Sequence, residues 1–359
     1  MLTTAVALSG GIDSLVAAYL LKKSGHHIFG LHFVSGYETP STDEIFDAGG
    51  TEIAKIPQDH PLSEIKNRLD IDIWMIDCRR AFDQKIVNYF IDAYMRGHTP
   101  NPCMVCNAVI KFGLLLKTAR RLGATHLATG HYATIEKTPG NRFQLKKGLD
   151  PDKEQSYFLA MLNQEQLAHA HFPIGRLTKA QVCETGAENH LMAASGHESQ
   201  DVCFIKNKHY SEFLGEKANV QQRPGEIIDV EGNFLGLHKG LYHYTIGQRR
   251  GINCPAPKPY YVIRLDMANN QLVVGFKEDL YRNECKIDQI NWITEKPETG
   301  MEVKTKIRYR HEPVASKIYP TGEDTAIIRF ARPQPAVTPG QTAVCYSGDQ
   351  VIAGGWIYG

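Results

Sequence analysis

Two groups of residues in this chain could do chemistry: a glycine-rich turn and a set of cysteines. The turn is Ser9–Ser14, with the letters SGGIDS. Adjacent glycines let backbone N–H groups approach an anion, and a helix that follows adds its positive N-terminal end. The run has no Walker lysine, and phosphates would repel the carboxylate of Asp13 unless a cation lay between them. The pattern therefore favours a nucleotide phosphate site with Mg²⁺ over an ordinary turn in which serine caps a helix.

The second group is the cysteines. The chain has eight, and only Cys103 and Cys106 are closely spaced. We find no second Cys or His pair at similar spacing, which argues against a structural zinc site. A disulfide framework is not expected in a large chain without an export signal. Catalytic or cluster-binding thiols explain the close pair better. Five other cysteines are expected to be small buried side chains, namely Cys78, Cys183, Cys254, Cys285 and Cys345.

Alternating strand and helix patterns surround both groups. The turn Ser9–Ser14 lies between a predicted strand, Ala5–Leu8, and a helix. The cysteine pair lies in a predicted loop, followed by a helix from about Ala108 to Leu122 and a strand at His126–Thr129. This β-α-β alternation predicts an α/β fold, a parallel sheet with helices on both faces.

The rest of the chain has a different pattern. After about residue 206, helical periodicity disappears and short alternating runs separated by Gly and Pro predict small β domains. We expect three domains, at residues 1–205, 206–283 and 284–359, the last one barrel-like. One strand-like run would place Lys306, Arg308 and Arg310 on one face, suited to phosphates. Glu38–Arg68 shows little clear periodicity. Because 40 basic residues balance 39 acidic ones, a nucleic acid would need such a local patch.

The SGGIDS turn resembles the PP-loop of ATP pyrophosphatases, enzymes that cleave ATP to AMP and pyrophosphate and adenylate a substrate. The resemblance implies that the pyrophosphate end of ATP is held by Ala7, Leu8, Ser9, Gly10, Gly11, Ile12, Asp13 and Ser14. It also implies that Phe33, at the end of the second predicted strand, lies against the adenine. By the same resemblance Gly130 closes the nucleotide site.

Further motifs occur in an order similar to one family, the tRNA-specific 2-thiouridylases. They are NPCMVCN at residues 101–107, ATGHYA at 128–133, KEQSYFL at 153–159, SQDVCFI at 199–205 and YTIGQR at 244–249. The resemblance implies ATP-dependent replacement of the C2 oxygen of the wobble uridine of tRNA by sulfur. It implies that Cys203 carries a persulfide, that Cys106 is its nucleophilic partner and that Asp13 belongs to the catalytic set.

Nucleotide cleavage and reactive thiols suit one reaction. A carbonyl oxygen is a very poor leaving group until adenylation turns it into AMP. A persulfide can deliver sulfur as a nucleophile, and a second thiol can resolve the product by disulfide exchange. A second mechanism stays open, in which Cys103, Cys106 and Cys203 hold a [4Fe–4S] cluster with one iron free to bind sulfide.

The resemblance also implies a set of residues that contact the tRNA, whose target base must leave the anticodon stack. They are Asn101, Pro102, Cys103, His131, Lys153, Glu154, Gln155, Arg308, Tyr309 and Gln341. The family usually has aspartate where this chain has Glu154. For Arg308 and Gln341 taken alone, a solvated surface position is the alternative.

The implied partners are a tRNA with a wobble uridine and a cysteine desulfurase or sulfur-relay protein. We recognise no signal peptide and no apolar run long enough for a membrane span, so we expect a cytoplasmic protein without membrane contact. Two rival functions stay open. One is another PP-loop ligase of amidating type, which would need no cysteines, and the other is a non-catalytic RNA-binding protein.

Overall fold

The computed structural model describes residues 3–38, 46, 52–193, 202–206, 208–218 and 223–359. The chain divides into two compact units. Unit 1 comprises Met1–Val87, Cys103–Phe204 and Asp349–Val351. Unit 2 comprises Asn88–Pro102, Ile205–Gly348 and Ile352–Gly359.

Unit 1 is built on a mostly parallel sheet. Its strands are β1 (Thr3–Ala7), β2 (His27–Val34), β3 (Ile53–Lys55), β4 (Ile73–Asp77), β5 (His126–Ala128), β6 (Ala133–Lys137), β7 (Phe143–Lys147) and β8 (Ala170–His171). Six of them form one sheet in the order β3-β4-β2-β1-β5-β8, and only β3 runs antiparallel to its neighbour. The strands β6 and β7 form an antiparallel hairpin. The predicted α/β class with a parallel sheet is confirmed.

The strand order contains a switch point beside β1. The chain builds β2 and then β4 on one side of β1, and later places β5 on its other side. In open parallel sheets, ligands bind beyond the carboxyl ends of the strands where the order reverses. The Ser9–Ser14 turn follows β1 and Gly130 follows β5, so both lie at this edge.

Buried apolar side chains hold the helices of unit 1 against the sheet. The first helix, Ile12–Lys23, contributes Leu15, Val16 and Ala18, all fully buried. Packing within the sheet is also close, because a Cβ at Gly30 in β2 would lie 2.5 Å from Leu8 and 2.9 Å from Ile73. The first helix is therefore fixed to the sheet just beyond the Ser9–Ser14 turn.

The remaining helices are short or contain π-helical segments. Those of unit 1 are Ser63–Leu69, Ser156–Leu159, Gln164–His169 and Lys179–Glu188. Residues 79–95 form a helix whose middle, Asp83–Val87, is π-helical, and Pro102–Arg121 is a helix with a π-helical segment at Cys106–Leu115. Unit 2 adds Tyr210–Ala218 and two 3₁₀ turns, Leu241–His243 and Lys277–Leu280.

The helix Pro102–Arg121 begins earlier than the sequence predicted. We expected a loop at the cysteine pair and a helix from about Ala108, but Cys103 and Cys106 lie on the helix itself. Proline suits the first helical position because its fixed φ fits the helix and its missing N–H would be unpaired there. This is the described helix whose length and composition would allow a membrane span, although 56% of that window is buried, as in the core helix of a soluble protein.

The strands of unit 2 form two β structures. Its strands are β9 (Gly225–Asp229), β10 (Phe234–His238), β11 (Tyr261–Asp266), β12 (Gln271–Gly275), β13 (Tyr281–Trp292), β14 (Met301–Lys306), β15 (Val314–Pro320), β16 (Ala326–Pro335), β17 (Thr342–Ser347) and most of β18 (Gln350–Tyr358). The first four form a sheet in the order β10-β9-β12-β11. The others follow the order β13-β16-β15-β14-β17-β18, and pairing of β13 with β18 closes them into a barrel.

Three regions differ from what the sequence patterns indicated. A helix, Tyr210–Ala218, occurs where helical periodicity was thought to be lost, and Phe213 and Leu214 are the large apolar side chains that it buries. The stretch Glu38–Arg68, in which little clear periodicity was found, contains β3 and most of the helix Ser63–Leu69. Of the five cysteines predicted to be buried, Cys183 is exposed and Cys254 is only partly buried. The other three are buried as predicted.

The basic run in the barrel is also not a continuous strand. The strand β14 ends at Lys306, and a turn closed by the hydrogen bond from His311 N to Arg308 O (3.1 Å) follows. The alternation had predicted that Lys306, Arg308 and Arg310 share one strand face. This prediction is wrong, because Arg308 and Arg310 lie beyond the end of the strand. Within the turn Lys306 Nζ lies 5.4 Å from the centroid of the Tyr309 ring.

Histidines on the neighbouring strands β5 and β8 make stability depend on pH. Burial and neighbouring histidines lower the pKa of both His126 and His171 below the ordinary value of 6.5. The unfolded chain therefore takes up protons that the fold does not, so stability is lost as pH falls below about 6.5. We expect the free energy of unfolding in urea to fall between about pH 7.5 and about pH 5.5. A His126→Gln, His171→Gln double variant should lose less over that range, and an unchanged loss would contradict this account.

Candidate active site

The backbone of the Ser9–Ser14 turn forms an anion cradle. Gly10 has φ 84°, a left-handed conformation that favours glycine. The Ser14 hydroxyl donates to Gly11 O (2.8 Å) and lies 3.3 Å from Ser9 N, which donates to it. These bonds fix the turn just before the first helix, whose leading N–H groups have no intrahelical acceptor. Such amides bind an anion such as phosphate.

Gly130 packs directly on this turn. A Cβ at Gly130 would lie 2.7 Å from Asp13 C and 2.8 Å from Ser14 N. Both of these are backbone atoms, which cannot rotate away as a flexible side chain could. The chain after β5 and the start of the first helix can therefore approach each other only with glycine at this position.

Asp13 has two partners that the sequence analysis did not identify. Its Oδ1 accepts hydrogen bonds from the Tyr132 hydroxyl (2.8 Å) and from Lys179 Nζ (2.7 Å). Burial and the bond to Asp13 raise the pKa of Tyr132 well above its ordinary value, so it stays a donor. Lys179 is the first residue of the helix Lys179–Glu188, which is capped by Thr178. That capping pattern could have located the helix start, but not the residue toward which its lysine points.

The turn fits a magnesium ion shared with phosphates. Mg²⁺ usually takes one or two carboxylates and completes its coordination with water and phosphate oxygens. Asp13 supplies one carboxylate, and its Oδ2 has no hydrogen bond to any described residue. Asp13 would hold the ion there, where the ion would offset the negative charge of the phosphates.

The other residues predicted to bind the nucleotide lie at the carboxyl edge of the same sheet. Leu8 is buried, with its N–H donating to Leu31 O (2.8 Å) and its carbonyl 2.7 Å from His32 Nδ1. Phe33 is half-buried near the end of β2, the neighbour of β1. The structure thus brings the PP-loop, Gly130 and Phe33 to one edge.

Three thiols of unit 1 interact electrostatically. Cys103 and Cys106 lie on the first two turns of the helix Pro102–Arg121, and charge on either Cys103 or Cys203 acts on Cys106. Desolvation raises the pKa of Cys106 to about 12 and that of Cys203 to about 11, and it also raises the pKa of Cys103. Cys103 and Cys203 are nevertheless exposed.

Cys203 is held in place by an aromatic cluster. Its neighbour Phe204 is buried and lies with its ring centroid 5.8 Å from both Tyr37 and Phe82. Tyr37 and Phe82 are in turn 5.9 Å apart. The Tyr37 hydroxyl donates to Asp83 Oδ1 (2.8 Å), which ties the cluster to the helix at residues 79–95. Phe204 therefore fixes the chain beside the thiol.

The thiols do not form a metal site. Among the described residues, no group of three or more Cys, His, Asp or Glu side chains is arranged to hold a metal ion. Cys103, Cys106 and Cys203 all belong to the described part of the chain. The arrangement does not fit a [4Fe–4S] cluster, and we derive no step through one.

His131 and the stretch at Lys153–Gln155 are partly engaged inside unit 1. The Nδ1 of His131 is 2.6 Å from the Thr129 hydroxyl, and burial lowers the pKa of His131 well below its ordinary value. Glu154 is buried and accepts from Ser156 N (2.5 Å), while Gln155 Oε1 accepts from Tyr132 N (3.0 Å). Glu154 and Gln155 therefore support the local fold.

In unit 2, Gln341 holds the segment that precedes the cysteine pair. Its Nε2 donates to Thr99 O (3.0 Å), and Thr99 N donates to Pro339 O (2.9 Å). Asn101 is buried and its N–H donates to the Tyr89 hydroxyl (3.4 Å). These contacts order residues 99–101.

Arg308 and Tyr309 lie in the turn after β14. The guanidinium of Arg308 donates from Nη1 to Pro335 O (3.4 Å). Both residues are half-buried, whereas Arg310 beside them is exposed. The turn presents cationic groups on the barrel surface, from residues that are not in one strand.

Comparison with known proteins identifies the family. Three domain models match in succession: a tRNA methyl transferase HUP domain at residues 2–207, a tRNA methyl transferase PRC-barrel domain at 211–276 and an aminomethyltransferase beta-barrel domain at 282–357. A tRNA-specific 2-thiouridylase of Desulfosudis oleivorans is 47% identical, over 98% of this chain and 94% of its own. This chain belongs to the tRNA-specific 2-thiouridylase family.

Other relatives that match nearly the whole chain are also 2-thiouridylases. The 2-thiouridylase of Geotalea uraniireducens is 42% identical over 98% of this chain and 94% of its own length, and that of Geobacter metallireducens is 40% identical over 98% and 95%. A solved structure titled as a predicted subunit of tRNA methyltransferase from Methanocaldococcus jannaschii has a TM-score of 0.31 at 16% identity, covering 52% of this chain and 76% of that one. That likeness is too low to inform the fold.

Replacing the glycine that packs on the PP-loop should impair nucleotide binding in this 2-thiouridylase family member. Gly130→Ala forces a methyl group against the backbone of Asp13 and Ser14, and we expect ATP binding to weaken about tenfold to a hundredfold. Calorimetric titration with ATP measures the effect. Gly140→Ala is the matched control, because only Thr138 lies within 4 Å of a Cβ there, at 3.9 Å. Equal affinities for the two variants would contradict the role given to Gly130.

Removing the aromatic anchor should separate the thiols. Under mild oxidation we expect a disulfide between Cys106 and Cys203 in the unsubstituted chain, and Phe204→Ala should slow its formation roughly fivefold or more, because Cys203 loses its fixed position. Mass spectrometry of unreduced peptides measures the yield over time. The exposed Phe234, changed to alanine, is the control and should have no effect. An unchanged rate in Phe204→Ala would rule out the anchor.

Proposed function

We propose that this protein carries out ATP-dependent 2-thiolation of the wobble uridine of tRNA. The relatives that match almost the full chain are named as tRNA-specific 2-thiouridylases. The single observation that carries the proposal is that unit 1 combines an anion-binding PP-loop at a sheet switch point with three electrostatically coupled thiols. Methylation, which the domain models name, would need neither feature.

The first step activates the uridine. The C2 oxygen attacks the α-phosphorus of ATP, the bond from that phosphorus to the β-phosphate bridge breaks, and pyrophosphate leaves. The PP-loop amides, with Ser9 and Ser14, hold the departing pyrophosphate. Lys179 and Asp13 form an ion pair at 2.7 Å, so a cation already lies beside the place where phosphate charge would gather. The product is a uridine with AMP on O2.

The second step transfers sulfur. Cys203 carries a persulfide, loaded by a cysteine desulfurase or a sulfur-relay protein, and its terminal sulfur attacks C2 of the adenylated uridine. AMP leaves with the former C2 oxygen. The Cys106 thiolate then attacks the inner sulfur of Cys203, which breaks that S–S bond and releases 2-thiouridine. A Cys106–Cys203 disulfide remains, and a dithiol reductant returns both residues to thiols for the next cycle.

The rest of the molecule binds the tRNA in this proposal. The contacts are assigned to Asn101, Pro102, Cys103, His131, Lys153, Glu154, Gln155, Arg308, Tyr309 and Gln341. His131 is neutral at physiological pH, so it would meet the target base as an uncharged hydrogen-bonding group. Gln341 would act partly through the segment at residues 99–101, which it holds.

The proposal includes the division into domains and the place of action. Residues 1–205 would form the catalytic domain, 206–283 a central β domain and 284–359 a tRNA-contacting barrel. The reaction takes place in the cytoplasm, where tRNA and the sulfur donor occur together.

The decisive experiment measures nucleotide cleavage and sulfur transfer in the same reaction. The protein is incubated with ATP, unmodified tRNA, cysteine and a cysteine desulfurase, and the nucleosides are analysed by mass spectrometry for 2-thiouridine. We expect AMP and 2-thiouridine in equal amounts. Cys203→Ser and Cys106→Ser should each abolish product, while Cys183→Ser, an exposed cysteine of the same unit, should retain it.

The same experiment separates the rival functions. Full turnover of ATP by Cys203→Ser would favour an amidating PP-loop ligase, which needs no thiol. Binding of tRNA without any tRNA-dependent release of AMP would favour a non-catalytic RNA-binding protein. Either result would overturn the proposal.

A further inference from the structure

Lys111 occupies a position that only a π-helical turn provides. The segment Cys106–Leu115 is π-helical, with hydrogen bonds between residues five apart. Lys111 is five residues after Cys106 and so lies one turn further along on nearly the same face. In an α-helix the same spacing would turn the side chain away by about 140°. π-Helical segments are frequent at functional sites.

The charge of Lys111 acts on every thiol of the site. It lowers the pKa of Cys103, of Cys106 and of Cys203, and it also lowers that of His131. Lys111 is half-buried and forms no hydrogen bond or ion pair with any residue in the described part of the chain. Its ammonium is therefore not already neutralised by a described carboxylate.

Apart from Lys111 and a backbone hydrogen bond at Cys203, the surroundings of the thiols oppose ionisation. Desolvation is the largest effect on all three cysteines, and the thiols themselves repel each other's negative charge. The carboxylate of Glu38 further raises the pKa of Cys203. Lys111 is the cation that offsets these effects at all three positions.

We propose that the positive charge of Lys111 stabilises the anionic sulfur that forms on Cys106 and Cys203 during transfer. The inference extends the proposed sulfur-transfer function. The thiolate of Cys106 must form before it attacks, and the sulfur of Cys203 carries negative charge when its persulfide bond is loaded. Lys111 acts through its charge and exchanges no proton with either sulfur.

The test measures thiol reactivity without ATP, tRNA or a sulfur donor. The full chain is alkylated with iodoacetamide over a range of pH, and mass spectrometry follows Cys106 and Cys203 separately. Since the thiolate is the reactive form, Lys111→Met should slow alkylation of both cysteines about threefold to tenfold near neutral pH and move the pH profile upward. Lys111→Arg should restore most of the rate.

Two controls separate this effect from damage to the fold. Lys117→Met removes an exposed lysine of the same helix and should alkylate at the unsubstituted rate. Thermal unfolding and ATP binding should be the same in Lys111→Met as in the unsubstituted chain, and if this variant is unstable, Lys111→Gln is compared with Lys111→Arg instead. Equal alkylation rates and pH profiles for the neutral and cationic variants would overturn the inference.

The outcome is independent of the proposed function. If the neutral variant is slowed but the unsubstituted protein makes no 2-thiouridine, the electrostatic role of Lys111 holds and sulfur transfer to tRNA fails. If 2-thiouridine is made but the neutral variant alkylates normally, the function holds and the role of Lys111 fails. Loss of sulfur transfer in Lys111→Met, with alkylation slowed and ATP binding intact, supports both.

Discussion

The backbone contact between Gly130 and the turn after β1 is the constraint on which the nucleotide site depends. Parallel pairing of β5 with β1 brings the ends of both strands to one edge, and the missing Cβ lets the two connections touch. The turn is then held by its own hydrogen bonds and by the first helix. Strand order, glycine and anion cradle form a single arrangement, because a change in any of them moves Asp13.

The second half of the site has a different origin. The cysteine pair lies on a helix whose π-helical segment changes which residues share a face, and Phe204 carries the third cysteine to them through buried aromatic contacts. Desolvation keeps these sulfurs protonated at neutral pH, and Lys111 works against it.

Much of this could be read from the sequence, for reasons that differ by residue. The PP-loop was predictable because its glycines, serines and following helix are local signals, and the parallel sheet followed from the alternation of elements. The start of the helix at Pro102 was missed because an Asn-Pro step was taken as a loop. The partners of Asp13, Tyr132 and Lys179, could not be found, since they are 119 and 166 residues away and only the fold brings them together. The prediction for Arg308 was wrong for a different reason, because alternation in sequence does not show where a strand ends.

The bond from Gln341 to Thr99 has a consequence for how the protein is made. The two residues are 242 positions apart in the chain, and unit 2 draws residues 88–102 together with the C-terminal barrel. At ordinary rates of translation of ~5–20 residues per second, the earlier segment waits roughly 10 to 50 s for its partner to leave the ribosome. During that interval the residues before the cysteine pair have no native acceptor or donor at this contact. The contact that orders residues 99–101 thus forms only after residue 341 has been synthesised.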